Sequence, residues 1–173
     1  MVAATGVLVA AAFYILNLRE QRKNMRLTLE ARRIGVVENM MSTLISYEGG
    51  KIWTELLNYK WKDYDDFEKK YGSDVNEDSC AKRYFMWNQW NSVGSMLRKG
   101  MAEPEDLYDI GAQMVLLHWP KWKPIIEEIR RRYFGKDYLR DFEFLHEEVM
   151  KVKLKRDPNY GIPETLSKYV PEK

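Results

Sequence analysis

Apolar side chains recur at helical spacing along the chain, and no segment alternates as a strand would. Ile34, Val37, Met41 and Leu44 follow the 3-4-3 spacing of one helix face. No alternating run of β-branched residues is bounded by turn residues, which is the pattern that indicates a strand. The pattern therefore predicts an all-α protein.

Cap and turn residues divide this pattern into helices. The pair at residues 49–50, Gly-Gly, predicts the end of a long first helix. Asp63 is expected to cap a short helix that ends at Gly72. A longer helix is predicted over residues 79–99, and Pro104, beside acidic residues, predicts the start of another. The cap residues therefore predict a bundle of several helices.

Prolines shape the last third of the chain. Pro120 and Pro124 lack a backbone N–H donor, so we expect a break or kink across residues 118–124. The last long helix is predicted over residues 136–155. Three further prolines follow it, and residues 156–173 are predicted to form an extended tail.

The first residues of the chain differ from the rest, because residues 2–18 contain no charged side chain. Such a helix would span about 25 Å, close to the ~30 Å hydrocarbon core of a bilayer. We therefore predict a transmembrane anchor over residues 1–18, with a buried core helix and a cleaved signal peptide as alternatives. Gly6 and Ala10, four residues apart, are expected to let a second helix approach closely within the membrane.

A basic segment follows the apolar one. Residues 19–33 hold six basic and two acidic side chains, a net charge of +4. By the positive-inside rule, this charge places the C-terminal body in the cytoplasm and the N-terminus outside the plasma membrane. We expect a basic, amphipathic helix over residues 19–48 and a bundle of about five helices over residues 49–155. The side chains expected among lipid headgroups are Arg19, Arg22, Lys23 and Arg26.

Composition excludes several classes of protein. The single cysteine, Cys80, cannot form an internal disulfide, and no cysteine–histidine cluster indicates zinc. Aromatic residues make up 13% of the chain, which excludes a disordered protein. The net charge of +2 is too small to indicate a nucleic-acid partner.

The sequence contains no catalytic motif, and no cofactor or metal is expected. The only two histidines, His118 and His146, could form a metal or catalytic site with Asp141 or Glu143 if the fold brought them together. They do not form an H-x-x-x-H pair, so this possibility is a third hypothesis only.

A basic and aromatic cluster spans residues 119–132. Its exposed members could form a face for a protein partner, or the tryptophans could stack on nucleic-acid bases. The alternative is that the tryptophans are core and the basic residues are their solvated side. The candidate residues are Trp119, Trp122, Arg130, Arg131 and Arg132.

The second half of the chain resembles a known family. Its features are an aromatic helix at residues 83–94 (RYFMWNQWNSVG), an acidic helix start at residues 103–107, and W-x-x-W-x-P-I-I-E-E-x-R at residues 119–130. This order resembles the membrane-anchored helical proteins catalogued as domain of unknown function 4760, over about residues 19–150. The resemblance implies one N-terminal transmembrane helix and a helical cytoplasmic domain, and it brings no established activity.

The sequence as a whole predicts a non-enzymatic, single-pass membrane-anchored interaction protein. It would be an accessory subunit of a membrane complex or a self-associating scaffold, with the lipid bilayer and a protein or a second copy as partners. The alternative is a membrane-tethered effector that binds nucleic acid or a nucleotide through residues 119–132, although nucleic acid is not the expected partner.

Overall fold

The structure, a computed structural model, describes the backbone of residues 2–170 and the side chains of residues 13–170. Within that part of the chain, all regular elements are helical, which confirms the all-α prediction. A 3₁₀ turn at Ala112–Met114 precedes the sixth helix, and a π-helical turn at Arg130–Phe134 follows it. The α-helices are α1 (Val2–Ile45), α2 (Tyr47–Asn58), α3 (Tyr64–Tyr71), α4 (Glu77–Arg98), α5 (Pro104–Asp109), α6 (Val115–Ile129), α7 (Arg140–Arg156) and α8 (Glu164–Ser167).

The chain divides into two units, Met1–Val36 and Val37–Lys173. The described part of the first unit is a length of α1. The second unit has a hydrophobic core whose buried apolar residues extend from Val37 to Val152. Trp90 and Trp122 are the largest of its fully buried side chains.

The predicted membrane anchor is wrong. Among the described residues, no helix combines the length and the apolar composition needed to cross a bilayer. With 44 residues, α1 is long enough, but charged side chains begin at Arg19 and continue along it. The predicted location, a single pass through the plasma membrane with the N-terminus outside, is contradicted by this finding. Gly6 and Ala10 lie outside the residues whose side chains the structure describes.

Two helices of the second unit, α4 and α7, cross in close contact at Gly94. A β-carbon added to Gly94 would lie 1.8 Å from the carbonyl oxygen of Asp141, so only glycine allows this crossing. The side-chain oxygen of Asn91 accepts hydrogen bonds from the backbone N–H groups of Asp141 and Phe142, at 3.1 and 3.2 Å. Asn91 thus satisfies two free donors at the start of α7 from a neighbouring helix.

An ion pair fastens the same crossing. Arg98 donates two hydrogen bonds to the carboxylate of Asp141, at 2.8 and 2.9 Å. The hydrogen bonds from Arg98 lower the pKa of Asp141, whose side chain is only 10% exposed. The bidentate geometry fixes the orientation of α7 on α4.

Several predicted helix ends are confirmed. Asp63 caps α3 by accepting a hydrogen bond from the N–H of Asp66 at 2.9 Å, and Gly72 follows the last residue of the helix. Pro104 is the first residue of α5. These ends were predictable because each depends on one residue's own side chain or backbone.

Other boundaries differ from the predictions. The first long helix ends at Ile45 rather than at the glycine pair, because Ser46 caps α2 by accepting a hydrogen bond from the N–H of Gly49 at 3.0 Å. The last long helix starts at Arg140 rather than at residue 136, after Leu139 with a φ of 54°. The tail contains the short helix α8 rather than being wholly extended.

A break or kink was predicted across residues 118–124, and the break is wrong, since α6 runs through both Pro120 and Pro124. Burying a large apolar side chain contributes about 1.5–3 kcal/mol, whereas an interior proline costs about 3 kcal/mol. Four buried side chains next to the prolines therefore outweigh the two lost hydrogen bonds. These side chains are Trp119, Trp122, Ile125 and Ile126.

We predict that Gly94→Ala will lower the free energy of unfolding by about 1–3 kcal/mol, because the added methyl group must push α4 and α7 apart. The matched control is Gly50→Ala in α2, where an added β-carbon meets no atom within 4 Å. This control should leave stability unchanged or raise it by up to about 1 kcal/mol. Urea unfolding of the two variants tests the crossing, and equal effects of the two substitutions would contradict it.

Candidate functional site

Large apolar side chains lie exposed along residues 13–36 of α1. Their exposed fractions range from 49% to 65%, and none of the side chains in this segment is buried. They are Phe13, Tyr14, Ile15, Leu16, Met25, Leu27, Leu29, Ile34 and Val36. Scattered single apolar residues are ordinary on a protein surface, whereas large contiguous apolar patches are typical of interaction sites.

The charges of this segment divide α1 into two faces, because successive residues are about 100° apart around a helix. One face, here called the arginine face, has a stripe at 7-4-7 spacing: Leu18, Met25, Leu29 and Val36. The charged side chains within about 100° of the centre of this stripe are all arginines. They are Arg19, Arg22, Arg26, Arg32 and Arg33.

The opposite face carries charges of both signs and is here called the mixed face. Its apolar residues are Leu16, Leu27 and Ile34, and Glu20, Lys23 and Glu30 lie among them. Of the four residues predicted to lie among lipid headgroups, Arg19, Arg22 and Arg26 belong to the arginine face and Lys23 to the mixed face. All four are exposed.

The segment has little to stabilise it within its own helix. Its one ion pair among the described residues joins Arg26 to Glu30 at 2.9 Å, and both side chains are largely exposed. Exposed pairs of this kind contribute about 0.3–0.5 kcal/mol. Because most helices in proteins owe their stability to packing of an apolar face, residues 13–36 lack the usual source of stability.

The tryptophans of the predicted partner face are buried. Trp119 is 3% exposed and Trp122 is 0% exposed. Trp122 packs edge-on against Trp87 and Phe67, with ring centroids 5.2 and 6.0 Å apart. Neither tryptophan can serve as an exposed member of a partner face or stack on a nucleic-acid base, so the expectation for these two residues is corrected.

The three arginines that follow them pair with acidic side chains. Arg130 donates to Glu143 at 2.7 Å, and Arg131 donates to Glu128 at 2.6 Å. Arg132 donates to Glu128 at 3.0 Å and reaches Asp65 in α3 at 3.2 Å. Arg131 and Arg132 remain exposed at the surface, where their role as a partner face stays a prediction.

A groove of about 920 Å³ lies beside these arginines, between α3 and α6. Its apolar wall consists of Trp61, Tyr64, Pro124 and Ile125. Its charged lining balances four acidic against three basic side chains, and Glu128 and Asp65 already hold Arg132. The groove therefore favours neither an anionic nor a cationic ligand.

The two histidines do not form a catalytic pair. His118 is fully buried against Phe142 and Trp122, and neither of its ring nitrogens has a hydrogen-bond partner. His146 packs on Trp119, and its Nε2 is likewise buried without a partner. Among the side chains that the structure describes, no group of three histidine, cysteine, aspartate or glutamate residues could hold a metal ion.

Burial explains the protonation state of both histidines. Removal from water lowers the pKa of His118 to about 3, with a smaller contribution from the charge of Lys121. Burial likewise lowers the pKa of His146 to about 4. Both rings are therefore neutral at neutral pH, His118 in the core and His146 at its half-buried edge.

Sequence reasoning missed a buried lysine. Lys121 is 6% exposed, donates a hydrogen bond to the backbone oxygen of Tyr59 at 2.7 Å, and lies 4.1 Å from the centre of the Trp61 ring. Burial lowers its pKa to about 8. Because Tyr59 is the C-cap residue of α2, Lys121 satisfies a free carbonyl at a helix end. Its position within a basic motif gave no sign of this structural role.

Comparison with known proteins now adds one finding. A family model described as "Domain of unknown function (DUF4760)" matches residues 1–149. The chain belongs to the DUF4760 family. No curated protein and no solved structure matches the chain. The match confirms the resemblance to DUF4760 but not its membrane-anchored part, and in this DUF4760 protein the tryptophans of the motif pack in the core.

The burial of His118 predicts a loss of stability in acid. The unfolded chain binds a proton near pH 6.5 while the folded chain does not, so stability falls as the pH drops from about 6.5 toward 3. Between about pH 7 and pH 5, the unfolding free energy of the native chain should fall by about 2 kcal/mol more than that of His118→Phe. Urea unfolding at the two pH values measures this difference, and equal losses would show that His118 is not buried as a neutral ring.

Proposed function

We propose that this DUF4760 protein is a non-enzymatic interaction protein that binds a different protein through residues 13–36 of α1. The observation that carries the proposal is the set of nine large apolar side chains that are exposed in this segment. Covering such side chains removes apolar surface from water, at about 25 cal/mol per Å². The histidines described above have no hydrogen-bonded partner that would activate them as catalytic groups, which favours an interaction function over an enzymatic one.

Charge favours a different protein over a second copy as the partner. Residues 19–33 carry a net charge of +4. Two copies joined through their arginine faces would bring five arginines against five, and like charges in contact across an interface cost several kcal/mol. A self-associating scaffold is therefore the less favoured form of the proposal, and the experiment below distinguishes it.

The alternative function, binding of nucleic acid or a nucleotide through residues 119–132, has less support. It depends on aromatic stacking, and both tryptophans of that cluster are buried. The exposed arginines of the cluster, Arg131 and Arg132, already pair with Glu128 and Asp65.

The proposal predicts where a partner will contact the chain. A photoreactive amino acid replaces Met25 or Leu29 in the full chain, which is produced in the cells that naturally contain it. Because both side chains lie in the proposed interface, we expect each to give a cross-linked product containing the same second protein. The product is measured by its mass and by peptide identification.

The matched control is the same photoreactive amino acid at Tyr84, a large aromatic side chain that is 70% exposed in the second unit. It should not yield the product obtained from α1. Products that contain two copies of this chain would favour the scaffold over a different partner. Identical products from Tyr84 and Leu29, or no protein product from α1, would contradict the proposal.

A further inference from the structure

The arginine face of α1 points to the chemistry of the partner. We propose that this face binds an acidic amphipathic helix, which places its apolar side chains on the central stripe and its carboxylates beside the arginines. This inference rests on the proposed function, because it specifies the partner of the same segment.

The acidic side chains of residues 13–36 lie away from the arginine face. Within the described residues, Arg19, Arg22 and Arg33 have no carboxylate within 4.0 Å, and Arg26 pairs with Glu30, one turn further along the helix. Both acidic residues of the segment, Glu20 and Glu30, lie about 120° or more from the centre of the arginine face. Among the described residues, four of the five arginines of this face therefore have no ion pair within the chain.

The apolar stripe partly fits the spacing by which helices pair. Two helices pack along a shared seam through a 3-4 repeat. Leu18, Met25, Leu29 and Val36 occupy four of the six positions of such a repeat over residues 18–36, and Arg22 and Arg32 occupy the other two. In such a pair, charged side chains beside the seam meet those of the partner helix and select partners of opposite sign. Arg19, Arg26 and Arg33, themselves seven residues apart, occupy one such flank.

Three kinds of ligand can be compared as occupants of the arginine face. A nucleic-acid duplex would pair with the guanidinium groups through its phosphates but would leave the apolar stripe in water. A second copy would add five more arginines to the same interface. An acidic amphipathic helix covers the stripe and the charges together, so of these three occupants it alone uses both features of the face.

The test uses a synthetic peptide of about three heptads, with leucine at the seam positions and glutamate at the flanking positions. Its affinity for the full-length protein is measured by fluorescence anisotropy at about 50 mM and about 500 mM salt. We expect binding that weakens markedly at the higher salt concentration, because the flanking charges of such an interface are partly exposed. The same peptide with glutamine in place of glutamate should bind more weakly and with little salt dependence.

Two neighbouring substitutions in the protein provide a matched pair. Arg22→Glu reverses a charge at the arginine face, and Lys23→Glu reverses one on the mixed face, about 140° from the centre of the arginine face. Both side chains are exposed, and neither has an ion pair among the described residues, so both variants should fold. Arg22→Glu should weaken binding of the glutamate peptide by about tenfold or more, and Lys23→Glu by less than about threefold.

A compensating charge change in the peptide distinguishes a direct contact with residue 22 from a general effect of charge. A peptide with one glutamate changed to lysine, at the position expected to face residue 22, should bind Arg22→Glu more tightly than it binds the native chain. Equal weakening by the two substitutions, or no binding of the glutamate peptide, would overturn the proposal. Tighter binding of a duplex of about 24 base pairs, or of vesicles rich in phosphatidylglycerol, with the same dependence on Arg22, would also overturn it.

The outcomes distinguish this inference from the function on which it rests. If the glutamine and glutamate peptides bind equally and Leu29→Ser abolishes both interactions, α1 is still a protein-binding segment and only the acidic chemistry is wrong. If cross-linking at Met25 and Leu29 yields no protein, the function itself fails, whatever the peptide does.

Discussion

The crossing of α4 and α7 at Gly94 is the constraint on which the second unit depends. The backbones of the two helices meet there at a distance that excludes even a methyl group, and Asn91 and Arg98 of α4 bond the first turn of α7. Val93 of α4 and Phe142 and Leu145 of α7, which are close in sequence to this crossing, are fully buried. The described core lies between Val37 and Val152, so it is complete without any side chain from residues 13–36.

The side chains of residues 13–36 differ from those of the core because none of them is buried. The nine exposed apolar side chains of this segment are as large as those of the core, yet each of them is at least 49% exposed. Solvent-exposed helices ordinarily carry polar residues all round or support themselves with several ion pairs. This one carries two apolar stripes and one internal ion pair, and its charge is divided so that one side holds arginines alone. In our proposal, a partner would cover the stripes, and its acidic side chains would pair with the arginines.

The sequence predicted those features that depend on local chemistry. The all-α class, the cap at Asp63 and the start of α5 at Pro104 follow from single residues and from the spacing of apolar positions. It did not predict that α6 continues through Pro120 and Pro124, because the burial that offsets two lost hydrogen bonds comes from other helices. The start of α7 was missed for the same reason, since the group that caps it, Asn91, is about fifty residues away.

The candidate site was predictable in part. The basic residues after Leu18 were singled out from the sequence. The uncharged run of seventeen residues before them was interpreted as a membrane span, but no described helix is long and apolar enough to cross a membrane. Trp119 and Trp122, candidates for an exposed partner face, lie in the core instead, together with their basic neighbour Lys121. Periodicity around α1, rather than the net charge of the segment, is the signal that distinguishes its two faces.

Amide hydrogen exchange of the purified, monomeric full-length chain tests whether residues 13–36 form a helix without packing partners of its own. We predict that amides of residues 13–36 exchange orders of magnitude faster than those of α4 and α7, because no packed side chain holds this length of helix closed. We further predict slower exchange in this segment when its partner, or the acidic peptide, is added. Protection of residues 13–36 as strong as that of α4 and α7, in the monomer alone, would contradict the claim that this segment is unpacked until a partner binds.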